Sequence, residues 1–145
     1  MRKLALVLAL TAALSAFAGC TTGGGAAPKY MDGTYRGAYF NPEDVEVEFV
    51  MKDGKFESIK YRQLGYKGES YLKSEDPVMK GVTEQYQALA DHLVGKEPSA
   101  LMDLYKPENI AKDTDTFTAA TMRAGKMITA VQDGLNRGPY ALPKG

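Results

Sequence analysis

The sequence predicts an α+β fold, in which a small antiparallel sheet with a central β-hairpin packs against two main helices. Two observations predict it. The first half of the chain's globular part alternates apolar and polar residues, with an Asp-Gly pair suited to a tight hairpin turn. The second half has two stretches with apolar residues at helical spacing. Because the strands come first and the helices follow, we expect an antiparallel sheet.

The N-terminus has the layout of a secretory signal. Arg2 and Lys3 precede an apolar run over residues 4–14, which is too short for a membrane-spanning helix of about 20 residues. The segment ends in Phe-Ala-Gly-Cys, which resembles the lipobox of bacterial lipoproteins, where the Cys is lipidated and becomes the first mature residue. We therefore expect a signal peptide over residues 1–19 and a lipid on Cys20. The alternative is a plain cleaved signal that leaves a free thiol.

A flexible tether is predicted after the signal. Residues 20–29 begin with Cys20 and continue with small residues and glycines. The globular domain is then expected over residues 30–140, and a short tail over residues 141–145. A lipid on Cys20 would hold the domain at the outer face of the cytoplasmic membrane or in the cell envelope of a bacterium.

The strands come next along the chain. Residues 33–40 are rich in aromatic residues and read as a strand, and residues 45–51 alternate strictly. Asp53 and Gly54 form the predicted hairpin turn, and residues 55–63 form the return strand.

A bulge is predicted in the return strand. Phe56 and Ile59 are three residues apart and cannot share one face of an unbroken strand, so we expect a bulge near Glu57 or Ser58. The following residues, 64–76, have no clear period and are predicted to be a loop with at most a short extended piece.

The first helix is predicted over residues 77–95, with Pro at its first turn and Gly past its end. Its buried stripe is expected to consist of Val78, Val82, Tyr86, Leu89 and Leu93. The next segment, residues 99–110, is predicted to form one helical turn and then a loop broken by a proline.

The last helix is predicted to begin near Ala119 and to end at Gly138 and Pro139. Its side chains at helical spacing form an apolar stripe, and three charged side chains point away from the centre of that stripe. The stripe consists of Ala120, Ala124, Met127, Ile128, Val131 and Leu135, and the charged side chains are Arg123, Lys126 and Asp133.

Charge and composition exclude several classes of protein. Lys and Arg number 18 and so do Asp and Glu, which gives no reason to expect nucleic acid as a partner. One Cys and one His rule out an internal disulfide and argue against a zinc site. His92 lies beside the stripe of the first helix, where we expect a partly buried surface residue rather than a metal ligand. The chain shows no general acid/base pair and no nucleophile paired with a base.

Threonines are crowded before the last helix, in the segment Asp-Thr-Asp-Thr-Phe-Thr-Ala-Ala-Thr. Thr118 is well placed to cap the helix through its hydroxyl. Thr121 then lies in the first turn on the flank of the apolar stripe, and Gly125 leaves space one turn further on. A phosphate on Thr121 would lie near the positive end of the helix dipole. The simpler alternative, which helix physics alone favours, is a capped helix with a solvated second threonine.

Residues 115–121, Asp-Thr-Phe-Thr-Ala-Ala-Thr, resemble the flavinylation motif of the FMN-binding domain family. The resemblance extends to Asp-Gly-Thr-Tyr-Arg-Gly at residues 32–37 and to the hairpin over residues 45–61. It implies that Asp115 is the leading acid and Thr118 the hydroxyl residue of the motif. Ala119 stands where the family usually has Gly, Ala120 is the motif Ala, and Thr121 is the acceptor. A dedicated flavin transferase would join FMN to Thr121 through a phosphoester.

The expected function is therefore a membrane-anchored extracytoplasmic flavoprotein, an electron carrier or redox subunit more than a stand-alone enzyme, with a redox partner that the sequence does not name. FMN bound without a covalent link is a second option. A third is a surface lipoprotein that carries no flavin and binds a ligand or protein partner.

Several side chains are candidates for contacts to the cofactor. Tyr61, Tyr66 and Tyr71 either stack on the flavin ring or fill the core and its edge. Arg123 or Lys126 either neutralises the phosphate or is solvated.

Overall fold

A computed structural model describes residues 29–111 and 117–144 of the chain, with the side chains of positions 117–123 excepted. Its strands form one four-stranded antiparallel sheet in the order β1-β2-β3-β4, which confirms the predicted α+β class. The strands are β1 (Gly33–Phe40), β2 (Glu43–Lys52), β3 (Lys55–Tyr66) and β4 (Glu69–Ser70). The α-helices are α1 (Pro77–Leu93) and α2 (Phe117–Arg137), and 3₁₀ turns cover Tyr71–Lys73, Pro98–Tyr105 and Pro107–Asn109.

The β2–β3 hairpin is closed by the predicted two-residue turn. Lys52 pairs with Lys55, and Asp53 and Gly54 between them have φ angles of 49° and 76°. Positive φ at both positions is the geometry of a type I′ turn, whose twist matches the flanking strands. The amide of Asp53 donates to Oδ1 of Asp32 at 2.8 Å, which fastens the turn to the residue before β1.

The alternation of β2 is confirmed, because Val45, Val47, Phe49 and Met51 are all buried. The predicted bulge in β3 is confirmed at Glu57, since Val50 pairs with Ser58 while Met51 pairs with Phe56. This extra residue turns both Phe56 and Ile59 into the core.

A second bulge, at Arg62, was not predicted. Glu46 pairs with Gln63 and Val47 with Tyr61, which leaves Arg62 without a pairing residue in β2. The prediction of a loop over residues 64–76 is wrong at its beginning. β3 continues to Tyr66 and turns through Lys67 and Gly68 into the short β4. Leu64 stays in the sheet because it faces Val45 in the core.

Helix α1 begins where the sequence predicts. Asp76 caps it by accepting from the amides of Val78 and Met79, and Pro77 is its first residue. Four of the five predicted stripe residues are buried, but Val78 is exposed, because the first turn packs on the core through Met79 instead. The buried predicted residues are Val82, Tyr86, Leu89 and Leu93.

Helix α2 packs across β1 and runs antiparallel to it. Gly37, in the middle of β1, lies against Ala130 and Gly134, whereas Gly33 at the start of β1 lies against Pro139 beyond the helix end. Five predicted stripe residues, Ala124, Met127, Ile128, Val131 and Leu135, are buried. Ala120 belongs to the positions whose side chains are not described. Gly138, with φ 83°, follows the last helical residue as predicted.

The outer edge of β1 is covered by the chain that follows α2. The amide of Thr34 donates to the carbonyl of Ala141 at 2.8 Å, and the amide of Tyr140 donates to the carbonyl of Thr34 at 2.9 Å. Further along the strand, the amide of Ala38 donates to Oδ2 of Asp133 at 3.0 Å. These bonds satisfy backbone groups that an edge strand otherwise presents to solvent.

Candidate functional site

The predicted cofactor site lies at the beginning of α2. The helix starts at Phe117, two residues earlier than predicted, so Thr118, Ala119, Ala120 and Thr121 all lie within it. The structure therefore places Thr118 inside the helix, directly after its first residue, and not before the helix start as predicted. Asp115 and Cys20 lie outside the described residues, as do the side chains of the motif residues and of Arg123.

The backbone at the helix start offers hydrogen-bond donors. In an α-helix the first amides have no carbonyl one turn earlier to bond to. With Phe117 as the first helical residue, the amides of Phe117, Thr118 and Ala119 have no partner within the helix. These amides lie at the positive end of the helix dipole, which favours anions. Position 121 is one turn further along, within reach of this end.

The packing of α2 fixes which end of the sheet lies near this helix start. Lys126 Nζ is 5.9 Å from the ring centre of Tyr39, close to the end of β1. The start of α2 therefore lies towards the sheet end at which β1 finishes, β2 begins and β3 finishes. Two exposed aromatic side chains, Phe40 and Tyr66, are found at this end. We refer to it below as the helix-start end.

The sequence analysis gave solvation as one of two alternatives for Lys126, but the side chain is largely buried and paired. Its Nζ lies 2.8 Å from Oε2 of Glu43, and the two side chains are only 18% and 14% exposed. A helix residue directed away from the stripe centre still reaches β2, because its long side chain folds back over the sheet end. The cation of Lys126 thus lies at the helix-start end, already paired with a carboxylate.

Gly125 leaves open space on α2. A Cβ placed at Gly125 meets no described heavy atom within 4 Å. One turn further along, the Thr129 hydroxyl is exposed and donates to the carbonyl of Gly125 at 2.9 Å. The surface between position 121 and Thr129 therefore has room for a bulky group on the helix.

Tyr61 is partly buried and packs against the core, so its ring is not an open binding surface. Its hydroxyl donates to the carbonyl of Tyr86 at 2.8 Å and lies 2.8 Å from Sδ of Met127. Its ring meets that of Tyr86 edge-on, with centres 5.3 Å apart. Burial raises the pKa of Tyr61 well above its ordinary value, so this phenol stays protonated.

Of the other two tyrosines, Tyr71 lies in the core and Tyr66 is exposed. Tyr71 is buried and packs in the core, which agrees with the reading of these residues as core or core edge. Tyr66 is exposed at the helix-start end and is the one of the three whose ring is open to a ligand.

A charge cluster that the sequence analysis missed lies on the solvent face of the sheet. Glu48 is buried, and its carboxylate contacts three cations and the hydroxyl of Tyr140. Hydrogen bonds from Lys60 and Arg36 lower the pKa of Glu48 from 4.5 to about 2. Arg36, Glu48 and Lys60 are direct cross-strand neighbours, a relation that needs the strand register to be seen. The third cation is Arg62, at the unpredicted bulge.

The single histidine contacts two charged side chains near the surface. His92 Nε2 lies 2.9 Å from Oδ2 of Asp103 and 2.9 Å from Nζ of Lys96. It is partly buried, as expected. Among the residues that the structure describes, no group of three or more metal-ligating side chains forms a metal site.

A groove among the described residues lies far from the helix start. It has a volume of about 610 Å³ and lies beside the β2–β3 turn, between Tyr30 and the 3₁₀ turn that contains Leu101 and Met102. Gln132 and Leu135, in the second half of α2, form another part of its wall. In residues 29–111 and 117–144, neither helix has the length and apolar character to cross a membrane.

No protein-family model, curated protein or solved structure matches this chain. The grounds for a function are consequently the residues of the chain and the geometry around α2.

Proposed function

We propose that the protein is a membrane-anchored extracytoplasmic FMN-binding protein that carries FMN covalently on Thr121 and relays electrons. The observation that carries this proposal is the sequence of residues 115–121 at the start of an amphipathic helix. In that segment the acceptor position, Thr121, lies one helical turn after the first amides, which have no partner within the helix.

The helix start suits a phosphoester. Position 121 lies one turn after the first helical residue, near the positive end of the helix dipole, which favours an attached phosphate. Ala120 adds no bulk beside it. The resemblance to the family adds Asp115 as the leading acid of the motif. Open space at Gly125 supports the same assignment, because a flavin needs room on the helix surface.

The helix-start end also has groups suited to the isoalloxazine ring. Phe40 and Tyr66 expose aromatic surface there, on which a flat ring can stack. The ion pair between Lys126 and Glu43 places a cation and a carboxylate near the first turns of α2. Charges fixed in a partly buried position affect the potential of a nearby redox group.

In this proposal FMN supplies the redox chemistry. The chain anchors the flavin, shields part of it and sets its electrostatic surroundings. Maturation requires a flavin transferase, and the electron donor and acceptor are partners of a class that the chain does not specify. The lipid on Cys20 keeps the carrier at the membrane.

A second candidate is a lipoprotein without flavin that binds a ligand or protein partner. The observation in its favour is the groove of about 610 Å³ beside the β2–β3 turn. Its volume falls in the range of about 300–1,000 Å³ that is usual for small-molecule sites.

One preparation separates the candidates. The full chain is co-expressed with a flavin transferase, denatured and run on a gel that is viewed under ultraviolet light. Covalent FMN gives a fluorescent band at the position of the protein. Flavin released on denaturation from a yellow native protein indicates non-covalent FMN. A colourless native protein and a dark band after co-expression with an active transferase contradict flavin binding and leave the second candidate.

A further inference from the structure

We propose that the domain rests on the lipid surface with the end of the sheet opposite the helix-start end, so that the start of α2 faces away from the bilayer. We call this end the tether end, and it comprises the β2–β3 turn at Asp53 and Gly54, residues 29–32, Met102 and Leu142. The inference rests on the lipid-anchor part of the proposed function and is independent of flavin.

The chain itself places these residues at one end. Met31 lies just before β1, and Leu142 follows Ala141, whose carbonyl accepts from Thr34 at the start of the same strand. Met102 lines the same groove as Tyr30 and Gly54. The residues before β1, the residues after α2 and the 3₁₀ turn that contains Met102 thus lie together at the end of the sheet where the described chain begins.

The tether end exposes apolar side chains that the fold does not use. Met31, Met102 and Leu142 are 62%, 65% and 67% exposed. These are flexible, unbranched or singly branched side chains without hydrogen-bonding groups. Such side chains lose contact with water at little cost when they enter the interfacial region of a bilayer.

Lysines surround these apolar side chains. Lys29, Lys52, Lys55 and Lys144 are all exposed in the segments that form the tether end. Lysine stems can lie along apolar surface while their ammonium groups reach the headgroups. Asp32, Asp53 and Glu97 lie in the same region and offset most of this positive charge. We therefore expect the contact to depend more on apolar insertion than on anionic lipid.

The tether joins the domain at the tether end, which favours contact of this end with the bilayer over contact of the helix-start end. The helix-start end also exposes apolar side chains, including Phe40 at 58%. However, only the eight residues 21–28 separate the lipidation site, Cys20, from Lys29, and fully extended the stretch from Cys20 to Lys29 spans at most about 30 Å. Phe40 lies a whole strand further away, about 23 Å along β1. The tether end therefore lies nearest the anchor, whereas turning the helix-start end to the bilayer would require the tether to extend along most of the sheet.

This orientation specifies the side from which a redox partner approaches. With the tether end on the lipid, Phe40, Tyr66 and the first turns of α2 face the aqueous compartment. The partner that exchanges electrons with a group at Thr121 is then a soluble protein or the aqueous domain of a larger one, not a component within the bilayer.

The chain contains no Trp, so a single introduced Trp reports its own depth. Full-length lipidated protein, produced without flavin transferase, is reconstituted into phosphatidylcholine vesicles that contain brominated lipid. We expect Met102→Trp fluorescence to be quenched several-fold more strongly than Phe40→Trp fluorescence. The two substitutions are a matched pair, because both replace exposed apolar side chains at opposite ends of the sheet.

The apolar contact is tested by removing it. Combining Met31→Ser, Met102→Ser and Leu142→Ser with Phe40→Trp should increase quenching at position 40, because the orientation is no longer held. Equal quenching at positions 40 and 102 overturns the proposal, and so does stronger quenching at position 40. A Met102→Trp signal that shifts with protein concentration but not with brominated lipid indicates a second copy of the chain and also overturns it. Flotation of the vesicles tests the anchor separately from the orientation, and loss of the protein from them overturns both.

Discussion

Gly37 of β1 lies directly beneath the backbone carbonyl of Ala130 in α2, so closely that a Cβ on Gly37 would overlap that oxygen. The same Cβ would also meet the backbone of Gly134 one turn along the helix. Backbone atoms cannot move aside as a side chain end can. The strand and the helix therefore require glycine at this position to keep their present separation.

Gly37→Ala should destabilise the protein, because α2 must move away from the sheet to admit a methyl group. The expected loss is about 1–3 kcal/mol in the free energy of unfolding, the usual cost of overpacking. Urea unfolding of the purified domain, followed by circular dichroism, measures it.

Gly125→Ala is the matched substitution in the partner helix and should have the opposite effect. Gly125 is exposed within α2, and a Cβ there meets no described atom within 4 Å. Alanine should raise the free energy of unfolding by about 0.5–1 kcal/mol through helix propensity. A loss of stability from Gly125→Ala as large as that from Gly37→Ala would contradict the described packing of α2.

Thr121→Val should abolish covalent flavin, because valine keeps the shape of threonine but has no hydroxyl to form the phosphoester. The measurement is in-gel fluorescence after co-expression with a flavin transferase, together with the mass of the intact protein. Stability should change little, so that loss of the label is not loss of the fold.

Thr129→Val is the control for the same helix. Thr129 is exposed two turns beyond Thr121, and its hydroxyl bonds to a carbonyl of its own helix. This variant should keep the full label. Retention of the label by Thr121→Val, or its loss from Thr129→Val alone, would show that the acceptor is a different residue.

Cys20→Ala should release the protein from the membrane, since the lipid is attached through the thiol of Cys20 in the proposed mature form. The protein should move from the membrane pellet to the soluble fraction after cell lysis, with unchanged unfolding by urea. Radiolabelled fatty acid should mark the parent protein and not the variant. A variant that still sediments with membranes would be evidence against the lipid anchor.

Glu48→Gln should destabilise the protein in a pH-dependent way. The pKa of Glu48 is about 2 in the fold against 4.5 ordinarily, so its ionised form is favoured by folding. That contribution is complete above about pH 4.5 and is lost as the pH falls towards 2. At pH 7 we expect a loss of about 1–3 kcal/mol, typical of removing a charged hydrogen-bond partner.

The matched control for Glu48 is Glu57→Gln. Glu57 is exposed and makes only a long contact of 3.8 Å to Lys52. Its substitution should change stability by less than about 0.5 kcal/mol. Urea unfolding at pH 7 and at pH 2.5 compares the variants with the parent chain. A deficit for Glu48→Gln that is the same at both pH values would show that the charge of Glu48 contributes nothing.

Local sequence patterns predicted most of the secondary structure. The Asp53–Gly54 pair, the three-residue spacing between Phe56 and Ile59, and the Pro77 and Gly138 boundaries each arise from backbone constraints within a few residues. The bulge at Arg62 was not predicted because Leu64 was assigned to the following loop, so the three-residue spacing between Tyr61 and Leu64 was not used. β3 was predicted to end three residues too early. Gly65 interrupts the alternation of apolar and polar residues directly after Leu64, which is buried in the core.

Contacts between distant segments could not be predicted from the sequence. The cluster at Glu48 needs the register of three strands, and the pairing of Lys126 with Glu43 needs α2 to lie over the beginning of β2. The start of α2 was predicted two residues late, because Thr118 and Phe117 are equally acceptable near a helix N-terminus. With the earlier start, Thr118 lies inside the helix and not at its cap, while Thr121 is still near the beginning of the helix.

The covered edge of β1 has a consequence for crowding. A lipid anchor confines many copies of a protein to a thin layer, where their local concentration far exceeds that in solution. Exposed edge strands in such a layer would pair between molecules and polymerise. Here the amides of Thr34 and Ala38 are already bonded to Ala141 and Asp133. The β1 edge of the sheet is thus protected against growth into a shared fibre.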